Sequence, residues 1–190
     1  WDSYPEWHET CSDIYIAVET ALRHDQCRAM KAGKPFILME SVPSIPTRGI
    51  VKKRKEPGMN LLSSLQATAH GSDTVLYFQW RKSRGCMEKL HGAVVDHVGH
   101  EHTREVREVT EVGKALEKLD EIVGTSVQPE VAVIQDWENE WALKFGAKVY
   151  LGENVKYRQA CISHYRSFWE AGVPVDAVDQ TADLTPYKLV

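Results

Sequence analysis

One carboxylate in this chain stands where chemistry is often done. It is Glu40, in Gly33-Lys-Pro-Phe-Ile-Leu-Met-Glu40-Ser-Val-Pro-Ser44. Residues Pro35 to Met39 are a short apolar run bounded by Gly33 and Pro43, which is the pattern of a buried strand. Glu40 falls where that strand runs out. Buried parallel strands carry their chemistry at their carboxyl ends, so an acid there is a candidate catalytic group. The competing reading is an acid that opens a turn. A second concentration of reactive side chains is the polar stretch from Arg81 to His102, rich in His, Glu, Arg and Asp. A loop of that length is functional or disordered, and its composition favours function. Asp96 with His97, His100 and His102 resembles a ligand set for a metal. The local spacing fits no zinc pattern, so these read as solvated loop histidines.

These groups need elements to hold them. From Glu9 to Lys31, Ile14, Ala17, Val18, Ala21 and Leu22 recur at helical spacing and predict one apolar face, with Gly33 as the stop. A long Pro- and Gly-containing loop follows the strand, from Ser41 to Gly58. Met59 to His70 reads as a helix with Leu61, Leu62, Leu65 and Ala69 on one side, closed by Gly71. Asp73 to Trp80 is β-branched and aromatic, a second strand. Strand, loop, helix, strand predicts a βα-repeating fold with parallel strands. Thr103 can cap a helix reaching about Val123, with Glu105 and Glu108 in its first turns and Val106, Val109, Val112, Ala115, Leu116 and Leu119 on its apolar side. Gly124 to Pro129 breaks the pattern and marks a domain boundary. Val131–Ile134 then predicts a strand, Trp137–Leu143 a helix or turn, Tyr157–Ala171 a helix and Val173–Val178 a strand.

Composition narrows the class. The chain has 190 residues, 43% hydrophobic and 26% charged, with net charge -4, as ordinary soluble globular domains have. Mild acidity argues against a nucleic-acid partner. The one basic cluster, Lys52-Lys-Arg-Lys55, reads as a solvated loop. No run reaches the length of a membrane span and no signal peptide opens the chain, so no membrane partner is expected. Cys11, Cys27, Cys86 and Cys161 are far apart and read as free thiols in a reducing cytoplasm. Trp1-Asp-Ser-Tyr-Pro5 reads as a strand end without its strand and without an initiator Met. The expectation is therefore a fragment of a longer protein.

At Met39-Glu-Ser-Val-Pro-Ser44 and Tyr77-Phe-Gln-Trp-Arg81 the chain resembles the β-galactosidases of glycoside hydrolase family 42. The likeness continues through Ser83-Arg-Gly85, Glu88-Lys-Leu-His-Gly-Ala-Val94 and Asp96-His97. It extends to Asp136-Trp-Glu-Asn139, His164-Tyr-Arg166 and Phe168-Trp169. The order and spacing of these motifs carry it across nearly the whole chain. The resemblance implies an α/β fold: a (β/α)8 TIM barrel followed by a flavodoxin- or Rossmann-like α/β domain that builds a homotrimer. Residues 1–125 would be the C-terminal portion of the barrel, with its seventh strand ending at Glu40 and its eighth near Trp80. Residues 126–190 would open the trimerisation domain.

The implied activity is retaining hydrolysis of terminal β-D-galactosides, without cofactor or metal. Retaining glycosidases use two carboxyl groups about 5–5.5 Å apart, one attacking the anomeric carbon and one serving as acid and base. The resemblance assigns the nucleophile to Glu40. It places the acid/base at the end of the fourth strand, outside these residues. Glu88 and His91 would grip galactose hydroxyls. Phe78 would supply an apolar wall, and Tyr4 would hydrogen-bond the nucleophile or the sugar. The competing readings are a helix-start acid and a surface histidine for the first pair, and core aromatics for the second. The chain departs from the family at Ile45-Pro-Thr-Arg48, where an Asn-Trp pair is usual, and at Gln135 and Glu140, which read as subunit-surface changes. Two alternatives stay open: a non-catalytic oligomerisation module, and a related retaining glycosidase with altered sugar specificity.

Overall fold

The computed structural model describes residues 1–7, 11–31, 34–47, 53–146 and 156–190. Three parallel strands form one sheet in the order β1 (Asp2–Ser3), β2 (Phe36–Ser41), β3 (Ser72–Tyr77). Helix α1 (Asp13–Ala29) connects the first two strands and α2 (Met59–Ala69) the last two. α3 (Arg104–Leu116) packs against α2. A second parallel pair, β4 (Val131–Ile134) and β5 (Val175–Val178), is connected through α4 (Trp137–Phe145) and α5 (Tyr157–Glu170). The α/β class with parallel strands is thus as the βα alternation predicts. Among the described residues, no helix is long and apolar enough to cross a membrane.

The element ends follow local chemistry. Ser12 caps α1 by accepting from Tyr15 N, and Asp13 opens its first turn. Thr103 caps α3 through Val106 N, and Asp136 caps α4 through Asn139 N at 2.8 Å. Glu9 and Gly33, the predicted limits of the first helix, lie outside the described residues, as do Arg48 and Lys52. α3 is shorter than its pattern predicts. It ends at Leu116, and the chain continues into a 3₁₀ turn at Asp120–Ile122. The apolar residues Leu116, Leu119 and Ile122 are three apart, a spacing that a 3₁₀ turn aligns and an α-helix spreads.

Two hydrophobic cores hold the elements. One joins Phe36 and Leu38 of β2 to Ala67 of α2. The other joins Val18, Ala21 and Leu22 of α1 to Val131, Val175 and Ala177 of the second sheet, with Ile162 and Tyr165 of α5. Cys27 of α1 packs against the first core as well, so α1 serves both sheets, and its burial extends to polar positions. Ile14, assigned to its apolar face, is exposed, while His24, Asp25, Gln26 and Arg28 are buried. Similar reversals occur on α2 and α3. Leu62 is exposed and Asn60 and Ser64 are buried on α2, while Glu105 and Glu108 join Val112 on the buried side of α3. Lys55, beside Asn60 and within reach of the charge of Glu108, is 3% exposed and not solvated as its basic cluster predicts. Lys55 Nζ donates to Asn60 Oδ1 at 3.4 Å, and burial lowers its pKa to about 8.

Candidate active site

The carboxyl ends of all three strands of the first sheet converge. Asp2 pairs with Glu40 and Ser3 with Ser41. Side chains alternate along a strand, so Tyr4, two residues beyond Asp2, returns to the side of Glu40. Its phenol donates to Glu40 Oε2 at 2.5 Å. Phe78 follows the last residue of β3, and its backbone N donates to Ser41 O at 3.0 Å. The Phe78–Gln79 peptide is cis.

His91 arrives from the long loop and is buried between the two aromatics. Its ring meets Tyr4 edge-on at 5.5 Å and Phe78 edge-on at 5.2 Å. Nδ1 accepts from Thr47 N at 3.2 Å, which places the ring proton of a neutral imidazole on Nε2. The structure thus brings four predicted residues, Tyr4, Glu40, Phe78 and His91, to one strand-end cluster. Glu88 is exposed on the turn before His91, and its carbonyl accepts from His91 N at 2.8 Å. Its side chain faces solvent, so Glu88 stands at the rim.

The loop that delivers His91 is anchored by backbone. Val94 N donates to Gln79 O at 2.9 Å, Val95 N to Trp80 O at 2.8 Å and Lys82 N to Val95 O at 3.0 Å. Residues 92–95 thereby run back beside the exit of β3. Gly92 N donates to Ile45 O at 2.7 Å and ties this loop to the segment that leaves Glu40. Sequence reasoning assigned Gly92 no role, because nothing in its neighbours distinguishes it from other loop glycines. Lys55 N adds a further tie to Ser44 O at 3.0 Å.

The remaining loop histidines serve the loop itself. His97 Nε2 meets Ser83 O at 2.7 Å, and His100 Nδ1 accepts from His102 N at 3.2 Å. Asp96 accepts from Lys82 Nζ at 3.0 Å and from His97 N at 2.5 Å. Although burial works in the opposite direction, these bonds and the lysine charge hold its carboxyl below the usual range. Among the described residues no group of three or more His, Cys, Asp or Glu is placed to hold a metal ion.

A strand-end carboxylate held by a tyrosine and flanked by an imidazole and a phenyl ring has the parts for covalent catalysis on a polar, ring-shaped substrate. Comparison with known proteins identifies the family. The glycoside hydrolase 42 profile, described as β-galactosidase, matches residues 1–119, and one described as β-galactosidase trimerisation domain matches residues 129–190. The chain is 52% identical over 190 residues to β-galactosidase Pbg of Clostridium perfringens, covering 100% of this chain and 27% of that protein. It is 48% identical over 193 residues to β-galactosidase GanA of Bacillus subtilis, covering 28% of it. The crystal structure of the cold-adapted β-galactosidase of Rahnella sp. R3 superposes with a TM-score of 0.93 at 49% identity, over 100% of this chain and 28% of that one. A catalytic mutant of Gan42B, a GH42 β-galactosidase of G. stearothermophilus, superposes at 0.94 with 47% identity, again over 100% and 28%. The chain therefore spans little more than a quarter of the length of these relatives, and by both its profile and its relatives it belongs to glycoside hydrolase family 42.

Proposed function

We propose that this chain is part of a retaining β-galactosidase in which Glu40 is the nucleophile. The observation that carries the reading is the Tyr4–Glu40 hydrogen bond at the joined ends of β1 and β2. A nucleophilic carboxylate must be ionised and aimed. A phenol donating to one oxygen favours the charged form and fixes the plane of the group. Glu40 attacks the anomeric carbon, the bond to the leaving oxygen breaks, and a galactosyl-enzyme ester forms. A second carboxyl group protonates that oxygen and then takes a proton from the water that cleaves the ester. We place that second group in a part of the protein outside these residues. Phe78 offers its face to the C–H side of the sugar, and His91 and Glu88 offer polar atoms to its hydroxyls. The substrate is a terminal β-D-galactoside, and the names of the relatives support that choice.

The same proposal covers the architecture. Residues 1–125 are read as the closing part of a TIM barrel, with β2 and β3 as its last two strands. Residues 126–190 are read as the start of a flavodoxin-like domain through which the protein forms a homotrimer. The two profile matches, ending at 119 and starting at 129, support this division. Gly124, at φ 77, is the backbone turn between them. The four free cysteines suit the cytoplasm as the working compartment.

The test is kinetic. In the full-length enzyme, Glu40→Gln keeps the fold and lowers turnover of a nitrophenyl β-galactoside by several orders of magnitude. Retention of wild-type turnover rejects Glu40 as the nucleophile. A wild-type preference for another nitrophenyl glycoside rejects the substrate and favours the altered specificity that Thr47-Arg48 in place of the usual pair would produce.

A further inference from the structure

We propose that Gly92 is a positioning residue of the site: its missing side chain lets the His91 loop close onto the segment that leaves Glu40. The inference rests on the reading of Glu40 as nucleophile. Gly92 is buried and does not adopt a left-handed backbone, so its need for glycine is spatial. A Cβ built there collides with Ser44 Oγ and lies 2.8 Å from Ile45 N and 2.9 Å from Val42 Cγ2. Ser44 Oγ can rotate away. Ile45 N is backbone and cannot, and it belongs to the same residue whose carbonyl accepts from Gly92 N at 2.7 Å.

The two strands of chain in contact here carry different parts of the site. Val42, Ser44 and Ile45 follow Glu40 within five residues. Gly92 follows His91 directly and Glu88 by four residues. Thr47 N, donating to His91 Nδ1, is a second tie between the same two segments. The distance between nucleophile and imidazole is thus set where Gly92 meets Ile45. A methyl at residue 92 forces the segments apart by tenths of an ångström, carrying His91 from its place between Tyr4 and Phe78. Gly85, in the same loop, is an internal control, since a Cβ there meets nothing within 4 Å and its φ is not left-handed.

The experiment compares wild type, Gly92→Ala, Gly85→Ala and Ser44→Ala/Gly92→Ala in the full-length enzyme. Rates are normalised to the sites titrated by an activated galactoside fluorinated beside the anomeric carbon, which arrests on the nucleophile. Misfolded molecules are then not counted. Per titrated site, Gly92→Ala raises KM and the inhibition constant of free galactose, and kcat/KM falls about tenfold or more. Ser44→Ala/Gly92→Ala matches Gly92→Ala, because Ser44 Oγ can rotate away in the single variant whereas Ile45 N stays in place in both. Gly85→Ala matches wild type. Unchanged KM and galactose inhibition per site in Gly92→Ala, or in the double variant if the single one does not fold, overturns the inference even when fewer molecules fold. A wild-type enzyme that neither hydrolyses nor is trapped by galactosides sinks the underlying functional reading instead.

Discussion

Tyr4 and Glu40 show what a single hydrogen bond contributes. The phenol stabilises the carboxylate form of Glu40, and a hydrogen bond to a charged group is worth about 1.5–3 kcal/mol. Tyr4→Phe in the full-length enzyme is therefore expected to lower kcat/KM by about ten- to a hundredfold. Unchanged kcat/KM in Tyr4→Phe shows that the bond to Glu40 contributes nothing to the reaction. At this scale much of the site was legible in sequence. Glu40 and Phe78 end apolar strands, and the loop after β3 is rich in reactive side chains. Gly92 was not legible, since a glycine required for space has no signature until the atoms facing it are known. Glu88 was legible as a polar loop residue, but its place at the rim depends on how the turn before His91 folds.

Among the elements, α1 carries the consequence that its pattern conceals. Arg28 lies at the meeting of both sheets. It donates to Asp25, to Val175 O at 2.7 Å and to His70 O at 3.0 Å, and pairs with Asp176 at 2.9 Å. Asp25 also accepts from Tyr165 OH at 2.5 Å and contacts His70 Nδ1 at 2.7 Å. Arg28→Met leaves the buried Asp25 and the half-buried Asp176 without their shared cation and should destabilise the protein by about 3–5 kcal/mol, read from urea unfolding. A loss below 1 kcal/mol, as for an exposed pair, contradicts the assignment. Periodicity found the helix and its Val18, Ala21 and Leu22 stripe. It could not find Asp25 and Arg28 as buried, because charged residues on a helix normally mark its wet face. Only the presence of a second sheet on that side makes them interior.

His24, on the same helix, gives a pH dependence. It accepts from Trp1 Nε1 at 3.2 Å and stacks on Phe36 at 5.5 Å. Burial, with the charge of His70, lowers its pKa to about 3. The unfolded chain takes up a proton near the ordinary histidine value of 6.5, which the folded chain refuses until about 3. This contribution is thus fully present above the unfolded value and is lost as pH falls through that window. Unfolding at pH 5 should take up about one proton at His24, and His24→Phe should remove that part of the slope. An unchanged slope in the variant places the titration elsewhere.

For the molecule as a whole, both sheets depend on cover. β2 buries Phe36 and Leu38 on one face, yet Ile37 and Met39 on the other are exposed, as is Leu76 of β3. Parallel sheets are ordinarily covered on both faces. Within the first sheet, β1 and β3 each have β2 as their neighbour. The barrel reading accounts for this, since the uncovered face would become the barrel interior. The 190 residues by themselves are accordingly expected to self-associate in sedimentation velocity and to show no galactoside turnover. A well-behaved monomer with turnover would contradict both the barrel reading and the placement of the second carboxylate elsewhere. The alternation of strands and helices made the parallel α/β class legible from sequence. Sharing of α1 between two cores was not, because it depends on contacts between residues more than a hundred positions apart, such as Leu22 and Val175.

The central claim is that Glu40 bonds covalently to the sugar. The full-length enzyme should be incubated with the activated fluoro-galactoside, digested, and its peptides sequenced by mass spectrometry. The account predicts one added fluoro-galactosyl group, on Glu40 in the peptide containing Met39-Glu-Ser-Val. A label on any other carboxylate, or continued turnover with no label at all, contradicts it.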